Sequence, residues 1–321
     1  MKELKEIRFN ETDVILCDNL VRGGILPEKI AELKRNIIFT GDTVVEGAIF
    51  GNRIEVRGGN IDVCGAAFAQ KELYVAADAQ GSAIFRKAVG SAASVVTRSA
   101  SCPTSFLSDI NAKSVTLCNA YVAGSIYADE ITLENSIVVG GVFATQSLEI
   151  KHSMVGTFNA PSVHLADTNY LLLPSAFSID PLQADPKAAL VNLTLADLGD
   201  AFRGTPQAQD SGKIVMSLKS DTVKATLTDE EHQNTLRSYT VAGKVLAADL
   251  VDSDRFQNHF LLSAAALGTQ LLRAYDMGTD KNGKPLELSP ASLRKFFFDI
   301  LDGRIEIRTM DGTFRLSDIA K

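Results

Sequence analysis

The sequence predicts an all-β parallel β-helix over residues 37–177, joined by a linker to a C-terminal α+β domain. Three observations predict it: a frame that returns every 16 to 18 residues, apolar columns that keep their place in each copy, and glycine or alanine at fixed positions. Ser108, Gly124, Gly140 and Gly156 lie 16 residues apart. Two residues on stand Ile110, Ile126, Val142 and Phe158, four on stand Ala112, Ala128, Ala144 and Ala160, and two before stand Phe106, Val122, Val138 and Met154. Beyond a short turn come the alternating pairs Val115/Leu117, Ile131/Leu133, Leu148/Ile150 and Val163/Leu165. Alternation with period two means strand. Two short strands per frame cannot close a hairpin with both turns at the same place in every copy, whereas stacked coils can. An antiparallel sandwich is the competing reading; four columns agreeing over four copies argue against it.

Upstream the frame continues through Val45, Gly47, Ile49, Gly51 and Ile54/Val56, then Val63, Gly65, Ala67, Ala69 and Leu73/Val75. A weaker copy runs through Ala79, Gly81, Ala83 and Phe85. From Gly81 to Ser108 the step is 27 residues, which predicts an inserted loop at Arg98–Ser105, RSASCPTS, where proline and serine break the pattern.

The segments AYVAGSIYADEITLENS (120–136) and SIVVGGVFATQSLEIKHS (136–153) resemble the G-x-I-x-A-x-x-I-x-L coils of the bactofilins, polymer-forming bacterial cytoskeletal proteins. The resemblance covers residues 37–177. It implies a right-handed β-helix that joins end to end into filaments without nucleotide, positions protein partners, and often touches membrane through a short terminal segment. The looped-out coil and the large region after residue 177 depart from the family pattern, which ends in a short tail.

Outward positions point to surfaces. The column three residues after the small residue reads Phe50, Phe68, Ile84, Asn111, Tyr127, Phe143, Asn159, and the one just before it includes Leu107, Ala123, Val139 and Val155. Contiguous apolar surface marks a contact. Phe50, Phe68, Tyr127 and Phe143 are therefore expected on a covered outer face, beneath the chain's own helices or a lateral partner. Glu55, Arg57, Thr116, Thr132, Glu134, Glu149 and Lys151 mark a solvated one.

Residues 1–36 are expected to cap the solenoid, with a helix over Leu26–Asn36 that has proline at its start and Lys34/Arg35 late. Both solenoid ends then carry apolar residues in need of burial: Ile37 and Phe39 at one, Leu171 and Leu173 at the other. These four are the expected end-to-end assembly interface. Residues 178–187, with two prolines, read as a linker. The α+β domain, residues 188–321, has expected strands at Val215–Leu218, Val223–Leu227 and Tyr239–Leu246 and helices at 195–202 and 254–275. A helix capped by Ser289 or Ser292 through Leu301 and a final hairpin opening at Arg304–Arg308 complete it.

Composition narrows the function. The net charge of −7 withholds the attraction that dominates nucleic-acid binding. Cys17, Cys64, Cys102 and Cys118 show no CxxC spacing, which fits a reducing, cytoplasmic setting. The amino terminus lacks the apolar core of a secretory signal. The most apolar stretch, Phe260–Leu272, is too short for a bilayer and reads as a buried helix, so membrane contact is expected to be peripheral at most. His152 and His164 occupy different columns, HExxH is missing, and Asp229–His232 (DEEH) reads as a turn, so no metal or cofactor site is expected. No catalytic residue is assigned. The expectation is a non-enzymatic scaffold that self-associates and binds a protein partner through residues 188–321. An enzyme on a β-helix platform is the alternative, and an adhesin is disfavoured by the missing export signal.

Overall fold

The computed structural model describes residues 1–29 and 33–171, with the shorter stretches 182–184, 188–192, 207–208, 214–217, 294–295, 297–298, 301–302 and 305–308. The chain divides into two compact units, residues 1–150 with 159–163, and residues 151–158 with 164–321.

The first unit is a parallel β-solenoid of eight coils, each contributing a short strand to each of three faces. On the first face the strands are Lys2–Leu4, Asn19–Val21, Thr43–Val45, Gly59–Val63, Gly81–Phe85, Thr104–Phe106 and Ala120–Val122, then the strand opening at Ile137, each paired in parallel with the next. The second face starts at Ile7–Phe9 and Ile25–Pro27 and runs in register through Ile49, Ala67, Val89, Ile110 and Ile126. The third starts at Val14–Leu16 and Ile37–Phe39 and continues through Val56, Val75, Thr97, Leu117 and Leu133. Alternation sends every second side chain inward, where like stacks on like. Phe39, Val56, Val75, Leu117, Leu133 and Ile150 are fully buried, and the Phe85 and Phe106 rings stack 5.3 Å apart inside.

Three expectations change. First, the solenoid begins at Lys2, and Ile37 and Phe39 are interior: Ile37 is paired with Val14 on one side and Ile54 on the other, Phe39 with Leu16 and Val56, and both are 0% exposed. The segment read as a capping helix opens instead with a strand, Ile25–Pro27, and the Glu28 N–H continues the ladder to Phe9 O at 3.0 Å; residues 30–32 lie outside the described residues. Second, each coil has three faces rather than two strands. The residues two before and two after the small residue, such as Val122 and Ile126, sit on different faces across a corner.

Third, the long step was misplaced. Ala67 pairs with Val89 and Val89 with Ile110, so Gly65 is succeeded by Lys87 and then Ser108, while Gly81 sits over Gly59. The extra length is shared between two corners, residues 76–80 and 98–103, and Thr104–Phe106 is already strand. Two separate glycine columns had looked like one. Gly59 and Gly81 have φ of +94° and +110°, and a Cβ on Gly81 would stand 2.3 Å from Gly59 O. Gly47 and Gly65 sit at another corner, where the backbones of successive coils approach too closely for a side chain. In the 98–103 corner the buried Ser99 hydroxyl donates to Ala79 O at 2.7 Å and accepts from the Cys102 N–H at 2.9 Å, so the irregular backbone keeps its hydrogen bonds.

In the second unit Thr168–Leu171 pairs in parallel with Ala189–Asn192, and Met154 and Val155 pair with Tyr170 and Leu171. Strand therefore continues past residue 177, and Leu182–Ala184 is strand inside the expected linker. Farther on, Gln207–Ala208 pairs antiparallel with Ile214–Ser217, which pairs in parallel with Ile305–Arg308. Helical residues between 294 and 301 bury Phe297 and Leu301, and the Arg294 guanidinium lies 4.4 Å from the Phe298 ring centre. These overlap the expected strands at Val215–Leu218 and Arg304–Arg308 and the helix ending at Leu301. The other expected elements, Phe260–Leu272, Asp229–His232 and Leu173 lie outside the described residues.

Candidate functional site

Two features of the first unit stand apart from its regular core, the opening coil and the second face. In the opening coil the core columns are only partly closed: Leu4, Ile7 and Val14 are half-buried, while Val21, Ile25 and Ile37 in the same columns one coil on are fully buried. Phe9 and Leu16 remain enclosed, at 5% and 1% exposure, and Ile15 points outward at 66%. Among the described residues, Lys2–Leu4, Ile7–Phe9 and Val14–Leu16 have a ladder partner on one side only.

The second face carries the four aromatic residues expected on a covered surface. Register places Phe50 beside Phe68, then Gly90, Asn111 and Tyr127 in one outward column. Ile84 belongs to the first face, where it pairs with Asp62 and Ser105. Phe50 and Phe68 are tilted at 6.1 Å, and a Cβ on Gly90 would stand 3.2 Å from the Phe68 ring. Tyr127 and Phe143 are stacked at 5.3 Å with an interplanar angle of 14°. Phe50, Phe68 and Phe143 are half-buried, and Tyr127 is 41% exposed. Around the second ring pair a groove of about 360 Å³ is lined by Asn111, Tyr127, Asp129, Phe143, Thr145 and Asn159 over a floor of alanine. No family model matches the chain, and neither a curated protein nor a solved structure matches it.

Elsewhere the outward surface carries ion pairs and closed apolar positions. On the first face Arg86 makes a two-pronged contact with Asp62, 2.7 and 2.8 Å, which holds its guanidinium above the ordinary value; the neighbouring Cys64 thiol is pushed up by burial and then by the Asp62 charge. Arg22 bridges Glu3 and Glu46 at 3.0 and 2.7 Å, joining three successive coils. Farther along that face Tyr121, Ile137 and Val139 are shut off from solvent, and burial raises the Tyr121 hydroxyl well above its usual range. The sequence reading had singled out Val139 but neither Tyr121 nor Ile137. The strand assignment that reveals their outward direction needs the third face. On the third face Glu55, expected in solvent, is 9% exposed and paired with Arg57 at 3.0 Å.

His152 takes a left-handed corner conformation with φ of 43°. Among the described residues no three His, Cys, Asp or Glu side chains are grouped to hold a metal. Leu171, expected at the open end of the solenoid, is instead paired on both sides, with Val155 and with Asn192, because strand continues past it into Ala189–Asn192.

Proposed function

We propose that this chain is a non-enzymatic scaffold that self-associates end to end through its solenoid, in the manner of the bactofilins, and that residues 188–321 form an α+β domain that binds a protein partner. The observation that carries the reading is the opening coil. It has the same core columns as its successors, yet Leu4, Ile7 and Val14 are half-buried and its strands are paired on one side. Stacking the matching end of another subunit there would extend the same core and satisfy the same edge. The interface at this end consequently shifts from Ile37 and Phe39 to Leu4, Ile7 and Val14. A cytoplasmic site of action, with peripheral membrane contact, belongs to the same reading.

Light scattering of the full-length protein against concentration tests it. The expected result is a mass that rises above the monomer and returns to it in the double variant Ile7→Asp/Val14→Asp, with the β-rich circular dichroism retained. A wild type that stays monomeric at high concentration sinks the proposal.

A further inference from the structure

The groove on the second face holds chemistry that end-to-end assembly does not use. Its aromatic pair is not self-sufficient. Tyr127 and Phe143 stand in successive coils and stack on each other at 5.3 Å, close to the spacing of neighbouring strands, so each spends one ring face on its partner. Beyond Tyr127 the column continues with Asn111, and Asn159 lines the groove at the Phe143 end. Short amide side chains at both ends leave room for a further ring-sized group beside the pair.

The polar groups narrow what that group is. Among the described residues no lysine or arginine lines the groove, so a phosphate or nucleic acid would lose its hydration without gaining a cation. The single carboxylate among the described lining residues, Asp129, already accepts the Thr145 hydroxyl at 2.6 Å. Asn111 and Asn159 each offer an amide that both donates and accepts, which matches the two-way hydrogen bonding of a hydroxyl. Backbone groups along the floor are committed to the solenoid: Ala112 N–H donates to Tyr127 O at 3.1 Å and Asp129 N–H to Lys113 O at 2.9 Å. An extended peptide therefore has no edge to join.

A neutral ligand with ring-sized apolar faces and a rim of hydroxyls satisfies all of this. We infer that the groove binds a neutral oligosaccharide, with pyranose C–H faces against the unused faces of Tyr127 and Phe143 and hydroxyls on the Asn111 and Asn159 amides. From Asn111 to Asn159 the strip spans roughly 14 Å, three strand spacings, enough for several sugar units laid along it. The volume is in the range of small-ligand sites, about 300–1,000 Å³. This reading is independent of assembly, because the groove lies on a lateral face.

Titration calorimetry of the full-length protein with cellotetraose and with chitotetraose tests it, the two distinguishing plain from N-acetylated sugars. At least one tetrasaccharide should bind, and more tightly than its disaccharide. Tyr127→Ala should weaken that binding about tenfold, while Tyr127→Phe should keep most of it. The tyrosine is exposed, so neither variant threatens folding. If neither tetrasaccharide gives heat, or if Tyr127→Ala binds as wild type does, the inference is wrong. A change of mass by light scattering in Tyr127→Ala, with no sugar bound, would instead assign the strip to a lateral contact between copies and would likewise overturn it.

Discussion

The first coil and the seventh are built from the same columns and end in different environments. Among the described residues Ile7 and Val14 meet one neighbouring coil and stay half-buried, while Ile126 and Ile131 meet two and are shut off from solvent. Residue type is alike in both places, so what differs is the number of neighbours. In a solenoid each coil contacts only the next, and an end coil lacks half of what holds an interior one.

The sharpest test places the same charge in both settings. Val142→Asp puts an unpaired carboxylate into a site with 0% exposure and should cost about 4 kcal/mol or more. Ile7→Asp, where the side chain reaches water, should cost about 1 kcal/mol. Urea denaturation followed by circular dichroism reads both. Equal losses would mean that the first coil is as enclosed as the others.

Glycine gives the next contrast. A Cβ on Gly65 would stand 2.3 Å from the Gly47 carbonyl carbon and 2.4 Å from Ala48 N, both backbone, whereas one on Gly58 meets nothing nearer than Gln80 O at 3.6 Å. Gly65→Ala should lose about 2–3 kcal/mol, since two coils must separate. Gly58→Ala should be neutral or gain up to about 0.5 kcal/mol. A thermal melt in which the two variants coincide would contradict the close approach of the coils at that corner.

The interior columns were readable because their spacing is regular. From Ser108 onward a 16-residue offset superimposes Phe106, Val122 and Val138 as it does Ile110, Ile126 and Val142, and the third-face columns depart from it by one residue at most. The first two coils carry the same signature in Leu4, Ile7, Phe9 and Val14/Leu16, then Val21, Ile25 and Ile37/Phe39. There the corner between the second and third faces holds nine residues between Pro27 and Ile37, which masks the period. Proline followed by Glu28, Lys34 and Arg35 then imitates a helix with favourable end charges, but tertiary pairing of Ile25–Pro27 with Ile7–Phe9 overrides that local preference. The aromatic column was legible apart from Ile84, which the misplaced glycine drew into it. The half-closed state of the first coil was not legible, because it depends on how many coils stack against it and no residue type encodes that.

Smaller effects separate corners from faces. Asn119 and Asn135 hold left-handed corners with φ of 52° and 45°, a conformation that short polar side chains tolerate and β-branched ones resist. Asn135→Val should cost about 1–2 kcal/mol and Asn135→Gly close to nothing, as compared by melting temperature. A matched loss in both would point to the side chain, not the backbone.

The smallest is a pH effect at the irregular corner. Burial pushes the Cys102 thiol up from its ordinary value to about 11, so the folded protein holds that proton where the unfolded chain has released it. Between pH 9 and about 11 the unfolded state binds fewer protons, and stability should therefore fall as pH rises through that window. Cys102→Ala should show a shallower decline of melting temperature over the same window. Parallel curves would remove the thiol from the account.

The 16-residue spacing between Asn119 and Asn135 has a consequence for how such a chain can change length. Asn119 and Asn135 occupy equivalent left-handed corners. Excising residues 120–135 would join one such corner to the next, with Phe106 facing Val138, Ile110 facing Val142 and Leu117 facing Ile150. The shortened protein would lose one step of roughly 4.8 Å and disturb no register. Duplication of the same segment would add one. Length here is a matter of copy number, open to genetic gain and loss in whole steps without redesign of the interior.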